Sequence, residues 1–302
     1  CQARSERTES RAAMNNRKSF LRAVFLSAAI FFGVSPAPSP PKRILSLAPS
    51  ITEILYGVGA LDRVIGRTDF CDYPTEVKRI PSVGGWYNPN LEQMIALKPD
   101  LAILMKAQDV TLVNKLRELN IPVLLVPMET YAEILHGIRD IGAAVRREDP
   151  ARKLVGQIEQ AFAKTRKQAA ESPRRRVLFV VGRKPGALQN IYVAGRDTFI
   201  DDMLRSAGGD NVVRDSIKGY ATISPEAVAA LDPEVILEVQ ESGASAKAVD
   251  PAKDWAPLKS VAAVQRGAIV PVRDEVVLRP SQRVTVAVKL LFDLLHPGSA
   301  LP

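Results

Sequence analysis

A chain of 302 residues with 46% apolar and 25% charged side chains is globular in composition and long enough for two cores. A mean hydropathy near zero excludes a multi-span membrane protein. The net charge of +8 invites a nucleic-acid reading, but half of it comes from residues 1–40, where six basic groups face two acids. The remainder holds no dense basic stripe with interleaved aromatics, and Arg174-Arg175-Arg176 precedes an apolar strand as a solvated run.

In chain order, Arg17-Lys18 precede a mostly apolar run from Ala23 to Val34 and a Ser/Pro/Ala stretch. A basic start and a short apolar run form a secretory signal pattern, too short for a membrane helix of roughly 20 residues. Residues 1–40 are therefore expected to be a signal segment, with the mature protein in the periplasm. Pro38 disfavours cleavage after Ala37, which leaves an uncleaved anchor as the alternative. Beyond this segment Cys71 stands alone and reads as a small buried hydrophobe.

From Pro41 the pattern alternates. Strands are expected at 43–48, 64–66, 101–104 and 123–126, with helices at 52–58, 91–97 and 110–119. Short connections between such elements imply an α/β lobe with a largely parallel sheet, 41–148. Tyr131 to Val145 has helical apolar spacing. Asp149-Pro150 then reads as an N-cap with proline at the first helical position, opening a long connecting helix over 149–172. A strand at 177–181 restarts the alternation in a second α/β lobe, 173–302.

An internal repeat supports two related lobes. Leu91-Glu-Gln-Met-Ile-Ala-Leu-Lys-Pro-Asp100 matches Pro225-Glu-Ala-Val-Ala-Ala-Leu-Asp-Pro-Glu234 at an offset of 134, which also takes Trp86 to Tyr220. Asn90 and Ser224 are good N-caps, so Glu92 and Glu226 fall at the second helical position. There a carboxylate meets the helix dipole, worth about 0.3–1 kcal/mol. The dipole explains each glutamate separately. A matched pair on two lobes could also present symmetrical negative points to a two-fold partner.

Catalytic signatures are sparse. His136 and His296 lack metal-ligand spacing and read as structural or exposed, so no metal site or cofactor is expected. There is no Gly-x-Ser-x-Gly elbow and no phosphate-binding loop. Gly84-Gly-Trp-Tyr-Asn-Pro-Asn90 instead puts Trp86 and Tyr87 on a turn ahead of a helix. Aromatics there either lie against a flat organic ligand or cap the lobe core.

Four segments carry a family resemblance: Arg43-Ile-Leu-Ser-Leu-Ala-Pro-Ser-Ile-Thr-Glu53, Cys71-Asp-Tyr-Pro74, Gly84 to Glu92, and Ala96-Leu-Lys-Pro-Asp-Leu101. Together they resemble the cobalamin-binding proteins of ABC importers, within the wider group for cobalamin, haem and iron–siderophores. The resemblance covers residues 41–296. It implies two α/β lobes joined by a rigid helix, a non-catalytic carrier that is a monomer when free, and a cobalamin-like ligand held in the cleft. It assigns ligand contacts to Pro49, Ser50, Phe70, Trp86, Tyr87, Tyr220 and Arg279, and docking on a dimeric membrane permease to Glu92 and Glu226. Tyr220 replaces a tryptophan of the family pattern, and the family's second-lobe disulfide is absent. Arg279 could equally serve a structural ion pair with Asp274 or Glu275. For a haem or iron–siderophore cargo, Tyr73, Tyr87, Tyr192 and Tyr220 are the candidate contacts. A two-domain enzyme or a membrane-tethered sensor are readings from other classes.

Overall fold

The computed structural model describes residues 39–86, 88–108, 110–240 and 250–298. Its first sheet has four parallel strands: β1 (Ile44–Ser46), β2 (Val64–Arg67), β3 (Leu101–Met105) and β4 (Val123–Val126), in the order β2-β1-β3-β4. Helices α1 (Pro49–Gly57), α2 (Leu91–Ala96) and α3 (Val110–Glu118) connect them. β1 and β3 are almost wholly buried, and they carry continuous apolar runs as strands covered on both faces do.

The helical middle consists of α4 (Tyr131–Ala144) and the 22-residue α5 (Glu148–Ala169), about 33 Å long at 1.5 Å per residue. Thr130 and Glu133 form a reciprocal capping box at the start of α4. Gly142 lets α4 and α5 cross closely, because a β-carbon there would come within 2.4 Å of that of Ala151.

The second sheet contains β5 (Arg175–Gly182), β6 (Ile191–Ala194), β7 (Gly209–Asn211), β8 (Tyr220–Ile223), β9 (Val235–Val239) and β10 (Ile269–Val272). Its order is β10-β9-β5-β6-β8, and β7 shares the β6 edge of β5. β5 pairs in parallel with β9 and β7, while the β5–β6 and β6–β8 pairs are antiparallel. This lobe is mixed where the sequence pattern suggested mainly parallel strands. Helices α6 (Phe199–Ser206), α7 (Pro225–Leu231), α8 (Pro251–Trp255), α9 (Ala262–Gln265) and α10 (Val284–Leu295) complete it.

Two helix starts differ from expectation. α1 opens at Pro49 rather than Thr52, with the proline in the first turn, where its missing N–H costs nothing. α5 opens at Glu148 after Arg147, so Asp149 lies inside the first turn and does not cap it. Pro150 is tolerated there because first-turn amides have no partner within the helix.

The 134-residue repeat holds at the level of single hydrogen bonds. The side chains of Asn90 and Ser224 accept from Gln93 N–H and Ala227 N–H, at 3.0 and 3.3 Å. After each helix a residue takes a left-handed conformation, Lys98 at φ 46° and Asp232 at φ 42°. Arg43 N–H donates to Asp100 Oδ1 at 2.9 Å, and Arg176 N–H, one residue out of the 134 register, to Glu234 Oε2 at 3.1 Å. The guanidinium of each arginine then reaches the end of the repeat helix, at the carbonyls of Leu97 and Leu231.

One continuous core runs through both lobes. Ile54 and Leu55 of α1, Ile138 and Ile141 of α4, Ile158 and Phe162 of α5, and Leu291 and Phe292 of α10 all belong to it. A polar joint reinforces the core. Glu53 on α1, 1% exposed, is held by residues more than 200 positions away. Ser281 donates to its Oε2, Arg283 Nη1 to its Oε1 at 3.1 Å, and Gln282 Nε2 to its main-chain oxygen at 2.7 Å. Nearby, Asp202 Oδ2 accepts from Tyr131 N–H at 3.0 Å, tying α6 to α4.

Burial pushes the Glu53 carboxyl above its ordinary 4.5, against the lowering effects of Ser281, Arg283 and Arg279. The folded state therefore keeps this proton to higher pH than the unfolded chain. The group's contribution to stability is full below 4.5 and is lost as pH rises through the raised folded value. Denaturant titrations across that window should show a falling slope in wild type that Glu53→Gln removes. Glu53→Ala, which strands Arg283, should lower stability by about 3 kcal/mol at neutral pH.

Candidate functional site

A cleft of about 510 Å³ opens between the lobes. Its first wall comes from the loops around the first sheet. Pro49 and Ser50 begin α1 directly after β1, and Met105 ends β3. Phe70 and Trp86 come from the segment between β2 and α2. The Trp86 turn is closed by a bridge between Gly84 and Pro89 and by Asn90 N–H donating to Val83 O at 2.7 Å. Gly84 sits at φ 95°, which glycine alone adopts without strain. Trp86 packs partly on the core and also lines the cleft.

The second wall holds Val181, Tyr192, Phe199, Ile200 and Tyr220, with Leu278, Arg279 and Pro280 along the joint. Tyr192 and Tyr220 stack with centroids 5.8 Å apart and planes at 23°. Phe70 is 61% exposed and Tyr192 41%, large fractions for aromatics bordering a cavity. Exposed apolar rings converging from two lobes form a surface ready to desolvate a flat partner. Burial pushes the Tyr220 hydroxyl far above its ordinary value, with Glu129 and Tyr192 adding to the effect.

Arg279 is engaged already. Its guanidinium meets Asp72 at 3.2 Å, Glu275 at 3.3 Å and the carbonyl of Phe70 at 3.3 Å, with Glu53 at 4.0 Å. The structural role therefore holds through Glu275, while Asp274 instead caps the turn at Val276 N–H. Arg279 fastens the loop bearing Phe70 to the second lobe and still lines the cleft.

Of the residues singled out in the sequence, Pro49, Ser50, Phe70, Trp86, Tyr220 and Arg279 meet in this cleft, while Tyr87 lies outside the described residues. Glu92 and Glu226 lie elsewhere, on the first turns of α2 and α7, with Glu226 fully exposed. Tyr73 is also absent from the lining; its ring meets Tyr56 edge-on and lies under Arg283. Sequence reasoning missed Met105, Val181, Phe199, Ile200, Glu275, Leu278 and Pro280. Met105 and Val181 were findable, because ligands of open α/β sheets gather at the carboxyl ends of parallel strands. His296 is buried with Nε2 at 3.0 Å from Ala207 O, and Cys71 is buried with its sulfur 3.1 Å from Thr52 Oγ1.

A larger cavity, about 1,010 Å³, lies beside α5, α6 and β7 and is lined by five arginines. Two of these are engaged by acids, Arg174 by Asp210 at 2.6 Å and Arg214 by Asp201 at 3.2 Å. Its walls are polar and all of its residues come from 131–215. The smaller cleft differs from it in having aromatic walls and in lying between the lobes.

Comparison with known proteins fits this geometry. The model of the family described as "Periplasmic binding protein" matches residues 44–273. This chain belongs to that family. It is 31% identical over 266 residues to YvrC of Bacillus subtilis, an uncharacterised ABC transporter substrate-binding lipoprotein, covering 86% of this chain and 81% of the relative. The vitamin B12 binding protein BtuF of Vibrio cholerae superposes with a TM-score of 0.72 at 26% identity, over 85% of this chain and 98% of that one. The haem-binding protein RhuT of Roseiflexus sp. gives 0.72 at 25% identity, over 86% and 100%. The protein is thus a substrate-binding component of an ABC importer and not an enzyme. No helix among the described residues is long and apolar enough to cross a membrane.

The raised Tyr220 value has a spectroscopic consequence. Alkaline titration followed by phenolate absorbance should give the same amplitude through about pH 10–11 for wild type and Tyr220→Phe. Loss of a one-sixth share of the signal, one tyrosine of the chain's six, would mean that Tyr220 ionises normally.

Proposed function

We propose that this importer component captures cobalamin or a related corrinoid in the inter-lobe cleft and delivers it to a dimeric permease. The observation that carries the reading is the aromatic cleft itself, with Phe70 and Trp86 on one lobe and Tyr192 and Tyr220 on the other. Desolvating a broad apolar ligand face against these rings supplies most of the affinity, and the edges of the ligand extend through the open mouth. BtuF of Vibrio cholerae binds vitamin B12, which supports the same cargo here. RhuT binds haem, and the Tyr192–Tyr220 pair gives that cargo its structural argument.

The remaining assignments follow from this reading. Residues 1–40 direct secretion or tether the protein, 41–148 and 173–302 form the lobes, and the helix over 149–172 joins them. The free protein is a monomer in the periplasm. Glu92 and Glu226 dock on the permease, each near a repeat-helix start. The Ser224 hydroxyl and the Glu226 amide hold the Glu226 carboxyl below its ordinary value, so its charge persists into mild acid.

Calorimetric titration of the body, residues 40–302, with cyanocobalamin and haem tests the cargo. One-to-one cobalamin binding weakened about 10- to 100-fold by Trp86→Ala is expected; haem binding without cobalamin binding would replace the cargo. Charge reversal at both Glu92 and Glu226 should abolish uptake in cells while leaving cobalamin affinity unchanged. A matching loss of affinity would remove the docking role.

A further inference from the structure

We infer that the cleft is built for an electrically neutral ligand and discriminates against anionic ones. This rests on the cleft being the cargo site and deepens that reading. Among the described residues lining the cavity, the charged side chains are Glu275 and Arg279, and they pair with each other at 3.3 Å. Among the described residues, Arg279 is the one cation that lines this cavity. It is 13% exposed and already faces Asp72 and Glu53 besides Glu275. Three carboxylates thus surround this guanidinium, and the neighbouring Arg283 shares Glu53 with it.

The opposite wall adds no positive charge. Val181, Phe199 and Ile200 are apolar, and the carboxylate of Glu129 acts electrostatically on Tyr220. Lys106 and Arg273 follow β3 and β10 and are exposed, but neither lines the cavity. A carboxylate entering the cleft would lose hydration and, among the described lining residues, meet only a cation already engaged by carboxylates. Desolvating an unpaired charge is the most costly step in such a site. A carboxamide keeps the size and hydrogen-bonding capacity of the carboxylate without its charge. Ser50, Tyr192 and Tyr220 can serve such amides with hydroxyl groups. Arg279 then acts as a positioning residue for the Phe70 loop rather than as an anion receptor.

The test compares cyanocobalamin with its monocarboxylic acid derivatives, in which one side-chain amide is hydrolysed, by titration at neutral pH. Wild type should bind at least one of these acids, the one whose carboxylate falls inside the cleft, about tenfold more weakly than the parent. The double variant Asp72→Asn, Glu275→Gln, which releases Arg279, should narrow that gap to about threefold or reverse it. Equal or tighter binding of all of these acids by wild type would overturn the inference while leaving the corrinoid cargo intact. If haem binds and cobalamin does not, the corrinoid reading falls and haem is compared with its dimethyl ester. Tighter binding of the ester supports neutral selection, and tighter binding of haem overturns it. Silence from all four probes overturns both.

Discussion

The arrangement depends on one buried carboxylate. Glu53 lies on the first helix of the first lobe, yet its partners Ser281, Gln282 and Arg283 come from the far end of the chain. A charge taken out of water there is tolerable only because cationic and hydroxyl donors converge on it, and those donors can converge only if the two lobes are seated together. The same corner carries Arg279, which reaches back to the carbonyl of Phe70 and the carboxylate of Asp72. Folding the joint therefore also places an aromatic of the cleft. Around this polar joint α5 and α10 extend a continuous apolar core, so lobe displacement would expose both hydrocarbon and charge.

This economy separates charge from the ligand surface. Glu275 and Arg279, the charged side chains among the described lining residues, pair with each other, and the rest of the lining is rings, aliphatic groups and hydroxyls. A similar separation stands behind the second sheet, where Arg183, 2% exposed, is met by Glu238 at 3.0 Å and Asp254 at 2.9 Å. Glu238 also accepts from Trp255 Nε1 at 2.6 Å, which ties α8 to β9. The arginine-lined cavity beside α5 shows the contrasting solution, in which charged groups stay at the surface in pairs.

Much of this was legible in the sequence because it is local. The repeat at 134 residues encodes a cap, a short helix, a left-handed residue, a proline and a strand, and each step has its own chemical signature from Asn90 to Met105 and from Ser224 to Val239. The cleft residues Pro49, Ser50, Phe70, Trp86 and Tyr220 were found through motif and register. What escaped notice is non-local. The antiparallel β6 and β8 arise from a chain reversal after β5 that apolar patterning does not distinguish from a parallel crossover. Phe199 and Ile200 carry no local signal of a site, and only tertiary placement turns them to the cleft. The weight carried by Glu53 was hidden for the same reason, since a Thr-Glu pair on an apolar helix reveals nothing of donors more than 200 residues away. Asp149 misled because a good capping residue also serves in a first turn, where its charge meets the helix dipole.

The central claim is that the joint and the shared core hold the lobes as one rigid unit, so the cleft exists before ligand arrives. The direct measurement is the distance distribution between spin labels on exposed sites of the two lobes, at Lys115→Cys and Lys253→Cys, in free protein and with saturating ligand. One narrow distribution is expected, its mean moving by less than about 2 Å on binding. A broad or two-peaked distribution in the free protein that collapses to a shorter distance with ligand would contradict it.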